Sequence, residues 1–339
     1  MHQQFKEYLK DSKNILILCS QPLDFDSLGS GLILYKYLRK IGKKVSVIFP
    51  RKMSREEKEF NAFLPGFSDI LDQDIREIFK GEIKYDGIIF LDGGSPTQFF
   101  DSDQIGKEPD FSRIKTSVHI DHHLSQVKLG NLIIHDPTLS STVEVLLTSV
   151  IPLDKIDAQM ATLAYAGIVG DTGNFKWGFT AKTLVLAGKL LDIGASVQEI
   201  FEKTFFSKSP DYFKTLSYVA QKLEFYPKLG TVIFSLPNSL IKKDNLKERD
   251  IDLMGDIFTV EIARSIKGYP RGIRLTEESP SRIKLSFRGS NLYNKINMPE
   301  VLTKAGGSGG GHFNACGFSF QGELGLVKRK IIQELRKAI

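Results

Sequence analysis

Four short apolar runs constrain this chain most. Residues 14–19, 44–49, 86–91 and 117–120 are of strand length, show no polar alternation, and are separated by stretches with helical spacing. Strands that are apolar on both faces and alternate with helices belong to a parallel sheet covered on both sides. In such sheets ligands bind beyond the carboxyl ends of the strands. Acids stand at those ends: Asp24 and Asp26 follow the first run, Asp92 closes the third, and Asp121-His122-His123 close the fourth.

With 339 residues the chain has length for two domains. No apolar run approaches the length that spans a bilayer, and the polar opening MHQQFKEYLKDSK has no export signal. A cytoplasmic protein with no membrane partner is expected. Cys19 and Cys316 are expected as reduced thiols, and the net charge of +6 favours an anionic partner slightly.

Helical spacing covers 29–41 and 54–63 and, beyond Ser141, 158–169, 180–191 and 196–205. Ser141 and Glu144 have the spacing of a capping box, read as a purely structural cap. The helix 158–169 runs into Gly170-Asp171. The expected plan is an α/β domain over 1–206 with a parallel sheet and flanking helices, a helical linker over 207–229, and a smaller α+β domain over 230–339. The active-site cleft is expected between the two domains. In the smaller domain, strands are expected at 231–235, 272–275 and 282–287, helices at 251–258 and 326–338, and a glycine-rich loop over 306–312.

Carboxylates and imidazoles gathered at sheet ends suit a divalent metal, manganese or zinc in preference to calcium. Two ions about 3.5–4 Å apart can activate a water and neutralise a phosphoryl group. Taken singly, each acid is more often a solvated loop residue or a helix cap.

The ordered set Asp24-Phe-Asp26-Ser-Leu-Gly29-Ser30, Leu91-Asp92, Ile120-Asp121-His122-His123 and Gly170-Asp171-Thr-Gly-Asn-Phe175 resembles the four motifs of the DHH-family phosphoesterases. Lys284-Leu-Ser-Phe-Arg288-Gly-Ser290 and Ser308-Gly-Gly-Gly-His312-Phe-Asn-Ala315-Cys-Gly317 resemble the basic strand and glycine-rich loop of the DHH-associated domain, in the manner of nanoRNases that act as oligoribonuclease and pAp phosphatase. The resemblance covers nearly the whole chain. It implies two Mn²⁺ ions: Asp92 matches the carboxylate that bridges them, Asp26, His122 and Asp171 match ligands of one, and Asp24 matches a ligand of the other. His123 would face the substrate phosphate with Asp121 supporting the catalytic imidazoles. Arg288, His312 and the amides of Gly309, Gly310 and Gly311 would grip the substrate.

The implied substrates are short oligoribonucleotides, linear dinucleotides such as pApA, 3′-phosphoadenosine 5′-phosphate (pAp) and cyclic di-AMP; a homodimer is also expected. Two other readings stand beside this one. A nucleotide-binding protein with reduced or lost catalysis is suggested by Ser20, which occupies the family's first-motif histidine position. A pyrophosphatase or exopolyphosphatase would share the first domain, and the Gly309-Gly-Gly-His312 element argues against it. Of the residues near that position, Gln21 is a feeble ligand, Cys19 is expected as a buried small side chain and His119 as packing within the sheet. Phe175 and Trp177 are expected to stack on a base or to make an apolar contact.

Overall fold

The structure is a computed structural model that describes residues 1–79, 84–100, 114–124, 129–279 and 281–339. The chain divides into two compact units, Met1–Ser207 and Lys208–Ile339.

The first unit is built on five parallel strands: β1 (Asn14–Cys19), β2 (Lys44–Ile48), β3 (Gly87–Leu91), β4 (Thr116–Asp121) and β5 (Leu132–His135). Their order is β2-β1-β3-β4-β5. The apolar runs read as buried strands are buried on both faces: Ile15, Ile17, Ile89 and Leu91 enter one core, while Leu16, Leu18, Ile88 and Phe90 enter another with Phe99 and Phe100. Chain direction through the sheet reverses between β1 and β3, so the crevice where such sheets bind ligands lies beyond these two strands.

Two helices cover the first core, Phe25–Lys40 and Ala158–Asp171. They cross backbone against backbone. A Cβ on Gly29 would stand 2.7 Å from the Leu163 carbonyl oxygen, and one on Gly167 would stand 3.0 Å from Asp26 Oδ1. Glycine at these positions lets the first turn of one helix and the last turn of the other converge, which brings Asp26 and Asp171 together.

The second unit carries six strands: β6 (Leu223–Tyr226), β7 (Thr231–Leu236), β8 (Arg271–Ser279), β9 (Arg282–Gly289), β10 (Ser308–His312) and β11 (Ala315–Gln321). The order is β10-β11-β9-β8-β7-β6, antiparallel except for the parallel pair β7 and β8. On one face Ile283, Leu285, Phe287, Cys316, Phe318 and Phe320 pack with residues of the helices Met298–Lys304 and Leu324–Ala338. On the other, Val232, Phe234 and Leu236 of β7 are covered by Met254, Ile257 and Phe258.

Several features differ from the sequence expectation. The glycine-rich stretch is no loop: Ser308–His312 is the edge strand β10, paired with β11. Backbone hydrogen bonding can build a strand from residues that have no side-chain pattern to announce it. Residues 210–229 hold the helix Pro210–Gln221 and strand β6 as well as a short turn, and they are counted with the second unit. Strand β5, four residues long, was not anticipated.

Candidate metal centre and phosphate-binding face

Asp26 lies in the first turn of Phe25–Lys40 and is almost fully buried. Its two carboxylate oxygens accept hydrogen bonds from the backbone amides of Thr142 (2.6 Å) and Val143 (2.9 Å). Those amides open the short helix Thr142–Val145, whose first-turn N–H groups have no partner within the helix. Ser141 does cap that helix, accepting from the Glu144 amide at 3.1 Å. Glu144, however, turns its carboxylate to Ser140 and Thr183 instead of completing the box. The helix start therefore orients Asp26, a role beyond the purely structural cap expected from the sequence.

Asp92 follows β3 in the left-handed region, at φ 64. An aspartate tolerates this conformation better than a branched residue does. The Thr142 hydroxyl donates to Asp92 Oδ1 at 2.9 Å, and the Ser20 hydroxyl donates to the Asp92 carbonyl oxygen. His122 and His123 follow β4. His122 Nε2 lies 3.0 Å from Asp171 Oδ2, 3.8 Å from Asp92 Oδ1 and 4.0 Å from Asp26 Oδ2. His123 Nδ1 lies 2.7 Å from Asp121 Oδ1 and 3.8 Å from Asp92 Oδ1.

These distances put Asp26, His122 and Asp171 in one group of close ligand atoms and Asp92, His122 and His123 in a second, the atoms of each within 4.8 Å of one another. Burial raises the Asp26 carboxyl to about 7, helped by the Asp171 charge, and it drives Asp92 well above the usual carboxylate range, helped by Asp26. Burial works against the His122 cation, yet the hydrogen bond from Asp171 and the surrounding carboxylates outweigh it and hold His122 at about 9. Acids crowded out of water prefer to hold protons unless a cation replaces them. Oxygen and imidazole donors at these separations fit a divalent metal, which Asp26, Asp92, His122 and Asp171 would hold.

The other implied ligands fare differently. Asp24 is exposed and caps Phe25–Lys40, with Oδ1 accepting from the amides of Asp26 (3.1 Å) and Ser27 (2.9 Å). It belongs to neither group of close ligand atoms. Ser20 is buried with its hydroxyl committed to the Asp92 backbone. Cys19 is fully buried, its sulfur 2.5 Å from where a Cβ on Gly31 would stand, so it packs as a small side chain against the helix. His119 is buried in the sheet with Nε2 3.0 Å from the Gly93 carbonyl and its ring edge-on to Phe99.

Asp121 is buried, and His123 fixes its Oδ1 through both ring and backbone nitrogens while Oδ2 has no hydrogen-bond partner among the described residues. Burial pushes the Asp121 carboxyl up, but the bonds to His123 overcome this and hold it below the ordinary value. The Asp121 bond fixes the imidazole tautomer of His123 and turns its Nε2 away from the acid. Two supporting roles escaped the sequence reading, that of Thr142 altogether and that of Trp177, expected from the sequence to stack on a base or to make an apolar contact. Thr142 touches both Asp26 and Asp92. Trp177 lies over Gly173 and donates its indole N–H to the Asp171 carbonyl at 2.9 Å, anchoring the acid's backbone. Phe175 packs edge-on to Tyr165 and Phe179.

In the second unit, strand register sets Gly272 opposite Arg288, Arg288 opposite Ala315, and Ala315 opposite His312. Cross-strand partners share a face, so Arg288 and His312 project from the same side with only a methyl group between them. Two residues along, Ser286, Gly317 and Gly310 continue that face, followed by Lys284, Ser319 and Ser308. None of these residues is acidic. Gly309 and Gly311 have a steric reason to be glycine: a Cβ would stand 2.2 Å from the Gly317 carbonyl at the first and 2.6 Å from that of Ala315 at the second, where φ is 136. Gly310 has open space where a Cβ would stand.

Residues 14–168, somewhat under half of the chain, match the family model described as DHH family, N-terminal domain. A protein of Thermus thermophilus named bifunctional oligoribonuclease and PAP phosphatase NrnA is 24% identical over 321 residues, covering 93% of this chain and 87% of its own. The Bacillus subtilis protein of the same name is 29% identical over 210 residues, covering 59% and 61%. Among solved structures, an exopolyphosphatase-related protein from Bacteroides fragilis superposes with a TM-score of 0.81 at 25% identity, covering 99% of this chain and 95% of that one. No described helix is long and apolar enough to cross a membrane.

Proposed function

We propose that the protein is a cytoplasmic, Mn²⁺-dependent hydrolase of short oligoribonucleotides and small nucleotides, with pApA and pAp as first candidates and cyclic di-AMP as a third. The observation that carries this reading is the cluster Asp26, Asp92, His122 and Asp171, in which burial raises the carboxyls of Asp26 and Asp92. The two relatives named oligoribonuclease and PAP phosphatase support the substrate class.

A divalent metal bound there supplies Lewis acidity toward the phosphoryl oxygens and lowers the pKa of a coordinated water. The chain's own residues do the rest. Asp26 is aimed by the Thr142 and Val143 amides, and Asp92 by the Thr142 hydroxyl. His123, whose Nδ1–H donates to Asp121, can donate Nε2–H to a phosphate oxygen as the doubly protonated ring. Arg288 presents its planar fork to a phosphate, with His312 and the Gly310 backbone beside it on the same sheet face. No covalent enzyme intermediate is needed.

A second reading, nucleotide binding with weakened catalysis, rests on a specific observation. Ser20 is tied to the Asp92 carbonyl and Asp24 Oδ1 caps a helix, so Asp24 joins neither group of close ligand atoms and the first-motif position offers no imidazole. One assay separates the two: purified protein with Mn²⁺ against pApA, a dinucleotide RNA, pAp, cyclic di-AMP and pyrophosphate, with Asp171→Ala as control. Metal-dependent turnover of a nucleotide that Asp171→Ala abolishes is expected. Turnover of pyrophosphate alone, or of nothing, sinks the reading.

A further inference from the structure

Beside the row that carries Arg288 and His312, two loops expose large apolar side chains. Leu292 and Tyr293 are 64% and 70% exposed in the loop after β9, and Phe313 is 44% exposed in the turn between β10 and β11. Scattered exposed apolar residues are ordinary on a protein surface. These are held in place by an unusual amount of polar structure. The Asn294 side-chain amide donates to Asn314 Oδ1 at 2.8 Å, and that of Asn314 donates to Asn291 Oδ1 at 3.1 Å, so the two loops are stapled to each other.

The staple is itself anchored. Asn294 is almost fully buried; its Oδ1 accepts from the buried Arg271, and its Nδ2 also donates to the Ile296 carbonyl. The Ser290 hydroxyl and carbonyl accept from the Tyr293 and Asn294 amides, and the Gly289 amide donates to the Asn314 carbonyl. A Cβ on Gly289 would stand 2.9 Å from Asn314 Oδ1 and 3.1 Å from Asn294 Nδ2, so the glycine next to Arg288 is what lets the staple close. The backbone under Tyr293 and Phe313 is thus fixed, while the rings face solvent.

A rigid aromatic surface next to Arg288 and His312 matches the two halves of a nucleotide. Single-stranded nucleic acids are bound in this way, with bases on aromatic faces and phosphates on a basic track. We infer that Tyr293 and Phe313 form a base-stacking platform for the nucleotide whose phosphate is gripped by Arg288, so that the second unit selects base-bearing substrates over inorganic polyphosphates. This rests on the proposed nucleotide substrate and deepens it.

The test compares pApA with an analogue of the same sugar-phosphate chain that lacks both bases, in wild-type protein, Tyr293→Ala, Phe313→Ala and the double variant, with Tyr293→Phe and Phe313→Tyr as rescues. KM is measured with Mn²⁺, and Kd by calorimetry in the presence of a chelator. For pApA, each alanine is expected to raise KM and Kd by about ten-fold or more with kcat little changed, and the aromatic replacements to restore both. The abasic analogue should bind weakly to all forms with no difference among them. Equal losses for both ligands, or no loss for pApA, overturn the platform. Base-dependent binding without any turnover would uphold the platform and sink the hydrolase reading, so the two fail separately. Both residues are exposed, and an unchanged thermal midpoint shows that the variants fold.

Discussion

Asp26 and Asp92 are strand-end acids that the sequence displays openly, but the residue that disciplines them is silent in it. Thr142 donates its amide to one and its hydroxyl to the other from a helix start 116 and 50 residues away. Threonine at a helix start signals nothing about chemistry on its own. Replacing it with valine keeps the shape and the amide while deleting the hydroxyl bond to Asp92. Groups that orient metal ligands typically matter by 10–100-fold in metal affinity or activity. Thr142→Val should therefore weaken Mn²⁺ activation by roughly that factor, measured as the metal concentration for half-maximal turnover, with the thermal midpoint little changed. An unaltered metal requirement would assign Thr142 to packing alone.

Legibility differs sharply between elements. Strands β1, β3 and β4 declare themselves because burial on both faces leaves only apolar residues to choose from, and the acids at their ends follow from the sheet's polarity. Strand β10 is invisible because three of its five residues are glycine. Its glycines are not equivalent, and this separates folding from binding. Gly309→Ala drives a Cβ against the Gly317 carbonyl and should break the edge pairing, seen as a lowered melting temperature. Gly310→Ala meets nothing and should melt like the wild type, yet it adds a methyl to the face shared with Ser286 and Gly317 and should raise KM for pApA. Identical behaviour of the two variants would contradict this division. The pairing of Asp26 with Asp171 was legible only as a resemblance, since the crossing at Gly29 and Gly167 has no local signature.

Across the whole molecule, the cluster of Asp26, Asp92, His122 and Asp171 links stability to pH. The raised Asp26 carboxyl, at about 7 against an ordinary 3.8, keeps its proton in the folded state through a window where the unfolded chain has lost it. His122 does the same between its ordinary 6.5 and about 9. In both windows the folded state binds more protons than the unfolded chain, so stability falls as pH rises. Chelator-treated protein should accordingly melt at progressively lower temperature from about pH 4 to about pH 9, by a few degrees for a chain of this size. Mn²⁺ should reverse the trend at the alkaline end, because it binds the deprotonated ligands. Asp26→Asn should flatten the acidic part of the profile. A melting temperature that rises through this range without metal would show that other groups dominate.

Strand β9 divides its labour by parity. Ile283, Leu285 and Phe287 belong to a core, while Lys284, Ser286 and Arg288 lie on the opposite face, Lys284 exposed and the other two half-buried. Selection for a sound fold and selection for a preferred ligand thus act on interleaved letters of one eight-residue word, and neither constrains the other's spelling. Such a strand can drift toward a new ligand by single substitutions at even positions without passing through an unfolded ancestor.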